Sequence, residues 1–220
     1  MKKQNKETLS DAQIEILRSI PELSFSKATT RQIEIIEAAI HCYASFGFDE
    51  TTYEKIAKQA KLSRPLLFHY FEDKVQIFDS CIKYVRALYH QLLVEGITKG
   101  RTGKERFEKY LEFSFELVKR NPNHIKFWFI VYHSASTNMK YKKMNSDLVA
   151  LGVSRISALI KGIESNHKMS DAQATEKARI VQALITGGLV QFSTETSDII
   201  PKDYIQFLCR EAMSIAVRPK

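Results

Sequence analysis

The chain has 220 residues, enough for one or two compact domains with a substantial core. Its hydrophobic share of 44% is that of an ordinary soluble protein, and 8 Gly with 5 Pro favour long helices over a many-stranded sheet. The net charge of +8 suits a polyanionic partner only weakly, because acidic and basic residues roughly balance between Thr30 and Gln76.

Residues 1 to about 8 are charged. Leu9, Ile16, Ile20 and Leu23 then share one helical face until Pro21-Glu22-Leu23-Ser24 ends or bends it. Residues 1–28 are therefore set apart as an N-terminal extension. It is either a helix packed on its own domain or a basic arm (Lys2, Lys3, Lys6) that follows phosphates or the minor groove. From Thr30 to Phe46, Ile33, Ile36, Ile40, Tyr43 and Phe46 keep helical spacing, and Gly47 supplies the stop.

The stretch from Thr51 to Lys74 holds two short helices and the start of a third. Thr51 and Glu54 stand in capping-box spacing, predicting a helix from Thr52 or Tyr53 with Ile56, Ala57 and Ala60 on one face. Ser63 is the next N-cap candidate, and Pro65 falls in the first turn, where its missing N–H costs little. That helix carries Leu66, Leu67 and Phe71 inward and leaves Arg64, Phe68 and His69 outside. Asp73 and Gln76 repeat the capping geometry. Two helices of about two turns joined by a tight turn describe a helix-turn-helix, whose second helix fits the DNA major groove.

The series Val75, Phe78, Ile82, Val85, Tyr89 and Leu92 then predicts one long helix. A basic loop is expected from Gly96 to Gly103. Further helices are expected over 104–120, 124–136, 141–164, 171–195 and 201–216, with Ser170 and Gln173 capping the fourth of these. The fold class is all-α.

Enzyme chemistry finds no support. There is no H-E-x-x-H pair, nucleophile elbow, Walker loop or dinucleotide fingerprint, so neither metal nor cofactor is expected. His90, His124 and His133 read better as core or pocket histidines than as metal ligands. Gly187-Gly188, with no strand before it, reads as a site of close helix packing. Cys42, Cys81 and Cys209 form no C-x-x-C pair and read as reduced core thiols, with a redox sensor as the alternative. The start, MKKQNKE, is not a secretory signal, and the apolar run Phe127 to Tyr132 is far too short for a membrane span. A cytoplasmic protein with no membrane partner is expected.

The order Gly47-Phe48, Thr51-Thr52, Ile56-Ala57, Ala60, Leu62-Ser63, Leu67-Phe68-His69-Tyr70-Phe71 and Lys74 resembles the N-terminal domain of TetR/AcrR-type bacterial transcriptional regulators. The close resemblance covers Thr30 to Phe78. It implies a three-helix helix-turn-helix domain over 29–76 and a larger helical effector-binding and dimerisation domain over 77–220. It also implies that Thr52, Tyr53, Lys61, Ser63, Arg64, Pro65, Phe68, His69, Tyr70 and Lys74 face a double-stranded operator. Three positions depart from the family pattern. Lys61 and Pro65 stand where Gly is common, and Phe68 stands where Tyr supplies a hydroxyl.

The resemblance further implies a homodimer through helices about 171–195 and 201–216, acting as a repressor released from a palindromic operator by a small apolar or amphipathic ligand. Phe113, Trp128, Tyr132, His133 and Gln182 are the candidate effector pocket, although aromatics at helical spacing are more often plain core. The alternatives are a DNA-binding regulator without a small-molecule effector, whether an activator or one controlled by a protein, and a helical interaction module.

Overall fold

The computed structural model describes residues 29–166, 168–194 and 202–218. The expected N-terminal helix and basic arm lie outside them. The described residues form helices and connecting turns, with no strand among them. The all-α class is the observed one. The chain divides into two compact units, one ending at Gln91 and the other starting at Leu92.

The first unit is built on α1 (Thr29–Phe46), α2 (Tyr53–Gln59), α3 (Arg64–Tyr70) and the first part of α4 (Lys74–Lys99). Ile33, Ile36, Ile40 and Tyr43 of α1 are buried, as their spacing requires. Phe46 is not: it lies at the exposed end of the helix, with the Lys55 ammonium 4.5 Å above its ring. Gly47 stops α1 with φ +77 and an N–H donated to Tyr43 O at 2.8 Å.

α4 locks onto α1 through both apolar and polar groups. Phe78 meets Tyr43 edge-on at 5.2 Å, Tyr84 Oη donates to Glu37 at 2.6 Å, and Cys81 Sγ points to Ile36 O. These contacts carry the unit past Gln76 into α4. Val75, expected inward, is exposed, since the buried face of α4 runs through Ile77, Phe78, Cys81, Ile82, Tyr84 and Val85.

The second unit continues from α4 through α5 (Gly103–Arg120), α6 (Pro122–Thr137), α7 (Met139–Lys161), a 3-10 turn at Glu164–Asn166, α8 (Asp171–Thr194) and α9 (Lys202–Val217). The expected loop from Gly96 to Gly103 shrinks to residues 100–102. Gly96 sits inside α4, where an added Cβ would lie 2.7 Å from the Phe113 ring. Thr102 and Glu105 close that short loop: Glu105 N donates to Thr102 Oγ1 at 3.1 Å, and Arg101 N to Glu105 Oε2 at 2.8 Å.

α6 starts at Pro122, whose fixed φ suits the first turn. α7 starts at Met139, capped by Asn138, whose Oδ1 accepts from Lys140 N at 2.9 Å. It ends before Gly162, so the expected helix over 141–164 is displaced toward the N-terminus.

In α8 the expected series is realised in full. Ala174, Ala178, Val181, Ile185, Gly188 and Phe192 are all buried. Ser170 and Gln173 exchange the predicted capping bonds. Gly188 permits close packing, since an added Cβ would lie 2.8 Å from Phe115 and 2.7 Å from Leu208. Gly187 faces open space and has no such role. Phe115, Phe192 and Leu208 form a core shared by α5, α8 and α9. Buried Asn166 ties the end of the bundle together by donating to Ile160 O and Ala216 O, while Lys177 Nζ donates to the carbonyls of Ile215 and Arg218.

Candidate nucleic-acid interface

Leu67 and Phe71 anchor α3, and both are buried. Burying a leucine contributes about 1.5–3 kcal/mol, which matters for a helix of two turns that has little stability of its own. Leu66, expected inward, is 39% exposed. It follows from the period: one residue is about 100° of rotation, so a stripe that buries Leu67 and Phe71 turns Leu66 away.

The face left outside carries Ser63, Arg64, Pro65, Leu66, Phe68 and His69. Ser63 caps the helix, its Oγ accepting from Leu66 N at 3.4 Å. Tyr70 is half-buried and meets His69 edge-on.

The start of α2 departs in detail from the expected capping box. Thr52, not Thr51, is the N-cap, and its Oγ1 accepts from Lys55 N at 3.3 Å. Thr51 is buried and turns its hydroxyl back to Gly47 O at 2.6 Å. Two threonines in succession admit either register, and the buried hydroxyl is satisfied by a backbone carbonyl.

α2 and α3 meet through a pile of side chains. The Tyr53 and Phe68 rings stack at 4.2 Å and 7°. The Arg64 guanidinium lies 5.5 Å from the Phe68 centroid, and its Nη1 is 2.6 Å from Glu54 Oε1. Tyr53 Oη donates to Phe71 O at 3.0 Å, so its hydroxyl serves the domain; burial, then the Asp73 charge, hold its pKa above the usual value. Glu54 was read from the sequence only as a cap. It is instead the acceptor for two interface candidates, Thr52 and Arg64. Its pKa is held low first by its own backbone N–H, then by Thr52, with Arg64 adding attraction. Periodicity carries no record of this pairing, which crosses the turn between α2 and α3.

Lys74 is placed differently. Its Nζ donates to Phe48 O at 2.9 Å and lies 4.3 Å from the Phe48 centroid, against the turn after α1. Lys61 is exposed and takes φ 57, the left-handed conformation that Gly adopts without strain. Lys61→Gly should therefore raise stability by about 1 kcal/mol. The check is the denaturant midpoint at unchanged slope; a lower midpoint would show that the lysine side chain stabilises the turn.

The five candidate effector residues lie in the second unit. Phe113 packs against Gly96, with the Lys99 ammonium 4.5 Å from its centroid. Trp128 and Tyr132 meet edge-on at 6.3 Å. Burial raises the Tyr132 phenol pKa against opposing hydrogen bonds with Trp128 and Thr186. Gln182 is half-buried and its Nε2 is 3.4 Å from Thr186 Oγ1, whereas His133 is exposed. A groove of about 1080 Å³ runs between α7 and α8, lined by Asn145, Val149, Ser154, Asp171 and Arg179 among others. None of the five candidates lines it.

All three cysteines are free, and burial pushes each thiol pKa up, Cys209 to about 12. Protonated buried thiols are poor nucleophiles, which weighs against the redox-sensor reading. His124 is buried, while His90 and His133 are exposed. No group of three His, Cys, Asp or Glu among the described residues has metal-binding geometry. No helix among them is long and apolar enough to cross a membrane.

Residues 35–81 match the profile of bacterial regulatory proteins of the tetR family. The transcriptional repressor AcnR of Corynebacterium jeikeium (strain K411) is 32% identical over 59 residues, covering 27% of this chain and 31% of the repressor. That stretch spans less than a third of the relative's own length. A TetR-like transcriptional regulator from Rhodococcus sp. RHA1 superposes with a TM-score of 0.68 at 16% identity, covering 87% of this chain and 96% of that one. A transcriptional regulator from Saccharomonospora viridis, solved in complex with choline, gives 0.68 at 17% identity over 84% and 94%. At such identities the superpositions establish a shared fold.

Proposed function

We propose that this chain, which belongs to the TetR family of bacterial regulatory proteins, is a cytoplasmic transcriptional regulator that binds duplex DNA through α3. One observation carries the reading. α3 buries Leu67, with Phe71 buried at its C-cap, and leaves Arg64, Leu66, Phe68 and His69 exposed on a short helix narrow enough for the major groove. Arg64 has the donor fork for guanine N7 and O6, and Leu66 has the apolar surface for a thymine methyl. Thr52, Lys61 and Ser63 suit phosphate contact, with Lys74 steadying the turn behind them.

The chain acts as a homodimer through α8 and α9. On α8, Ile180, Ala183, Gly187 and Val190 form an exposed stripe at helical spacing, and Phe207 and Val217 of α9 are exposed as well. Apolar surface of this kind is usually covered by a second copy. Light scattering at micromolar concentration should give twice the chain mass, and a monomer would contradict this part of the reading.

The finer reading is a repressor released by a small apolar or amphipathic molecule. It is supported by the continuity of α4 from Lys74 to Lys99 and by the fold shared with a choline-bound regulator. Effector-pocket candidates are Phe113, Trp128, Tyr132, His133 and Gln182. A ligand that prefers the non-binding conformation lowers operator affinity in proportion to that preference.

The test is affinity for a selected operator with and without small amphipathic compounds, choline included, in the wild type and in Trp128→Ala. Release by one compound, altered in Trp128→Ala at intact ligand-free affinity, is the expected outcome. Operator binding that no compound changes would leave a constitutive or protein-controlled regulator. Failure to retain any DNA would favour a helical interaction module.

A further inference from the structure

Arg64 does not stand free on the face of α3. Its Nη1 lies 2.6 Å from Glu54 Oε1 on α2, and its guanidinium is supported by the Phe68 ring, itself stacked on Tyr53. We infer that Glu54 is a specificity-determining residue for DNA: it holds the Arg64 guanidinium by one edge, presents the other to guanine, and keeps the cation from settling on phosphates. The inference rests on the DNA-binding reading above and deepens it.

The guanidinium geometry allows this division. Nη1 is engaged by Glu54, which leaves the fork formed by Nε and Nη2, two parallel donors matched to two acceptors on a guanine edge. Both partners are about as exposed as each other, 58% in each side chain, so water screens the pair and DNA can compete for the arginine. A phosphate offers the guanidinium the same kind of partner as Glu54 while also being repelled by the carboxylate. A guanine edge carries no net charge and adds bonds that Glu54 does not supply. The exchange is therefore unfavourable on phosphate and favourable on the right base.

Phe68 has a place in the same device. It lacks the hydroxyl that would reach a phosphate, and its ring serves as a platform between Tyr53 and Arg64. Glu54 completes the group, taking a hydrogen bond from Thr52 as well as pairing with Arg64. A carboxylate in the middle of a phosphate-facing surface lowers affinity for DNA in general. In the first turn of α2 it also suits the helix N-terminus, and against DNA it disfavours sequences that offer Arg64 only phosphate.

The experiment compares wild type, Glu54→Ala, Glu54→Gln, Arg64→Ala and the double variant Glu54→Ala/Arg64→Ala. Each is titrated against the selected operator and a scrambled duplex over a series of salt concentrations, with thermal melts as a folding control. For Glu54→Ala and Glu54→Gln the expected result is tighter binding to scrambled duplex. The ratio of operator to scrambled affinity should fall about tenfold, and the scrambled-DNA salt slope should steepen by about one phosphate.

In the Arg64→Ala background, Glu54→Ala should leave that ratio unchanged, because the acid acts through the arginine. Wild-type discrimination with an unchanged ratio in both Glu54 variants would overturn the inference and leave the DNA-binding reading standing. An equal gain with and without Arg64 would also overturn it, reducing Glu54 to general repulsion. Absence of wild-type discrimination would instead remove the reading on which it rests.

Discussion

Gly103→Ala is expected to lower the stability of the second unit by about 3 kcal/mol or more, at the upper end of overpacking effects in well-packed structures. An added Cβ at Gly103 would lie 1.7 Å from the carbonyl oxygen of Gly162, a backbone atom that cannot rotate away. The same point holds the first turn of α5 to the end of α7. Glu164 Oε1 accepts from Gly103 N at 2.6 Å, and Oε2 from Lys104 N at 3.3 Å. Moving α5 to make room would break both bonds and expose the N-terminal donors of an eighteen-residue helix. The readout is the thermal midpoint, together with loss of the cooperative transition if the unit opens. An unchanged midpoint would show that the α5 start is free to shift. Gly187→Ala is the contrast: nothing in the same chain lies near its Cβ, so it should leave the packing of the unit unstrained and be felt only where α8 meets a second copy.

The contrast between those glycines shows where the sequence was legible. Gly187 and Gly188 look alike in the sequence, and only the neighbours of each decide which one permits close packing. Periodic apolar series were reliable over long helices: the six positions of α8 are all buried. They were less so at helix ends, where Phe46 and Val75 fit the period but lie beyond the packed face.

Caps were read well where one residue could serve, as at Ser63 and Ser170, whereas the Asn138 cap was not anticipated. Thr51-Thr52 offered two candidates, and the choice depended on which hydroxyl was buried. The family pattern nominated the interface residues, and Lys61, one of its departures, takes the left-handed conformation. The pairing of Glu54 with Arg64 was not anticipated, because neither periodicity nor spacing along the chain records a contact across the turn between two helices. Phe113, Trp128, Tyr132, His133 and Gln182 could be placed in the helical unit from sequence. Their separate neighbours could not.

Arg64→Ala is the second large effect expected. A good bidentate contact to a base discriminates by about 1–3 kcal/mol, and a dimer on two half-sites makes it twice. The operator should therefore weaken by at least about tenfold, while scrambled DNA loses much less. Lys74→Ala should behave differently. Its ammonium is bonded to Phe48 O within the domain, so the variant should lose stability and weaken on all sequences alike. The two substitutions separate a residue that reads bases from one that steadies the reader.

The central claim, that α3 reads duplex DNA through Arg64, is tested most directly by parallel selection from a random duplex pool with wild type and Arg64→Ala. Wild type should enrich a two-fold-related sequence whose half-sites stand about one DNA turn apart, roughly 34–36 Å, with a guanine fixed in each. Arg64→Ala should enrich the same layout with the preference for that guanine flattened. An unenriched wild-type pool, or a guanine preserved undiminished in the Arg64→Ala pool, would contradict the account.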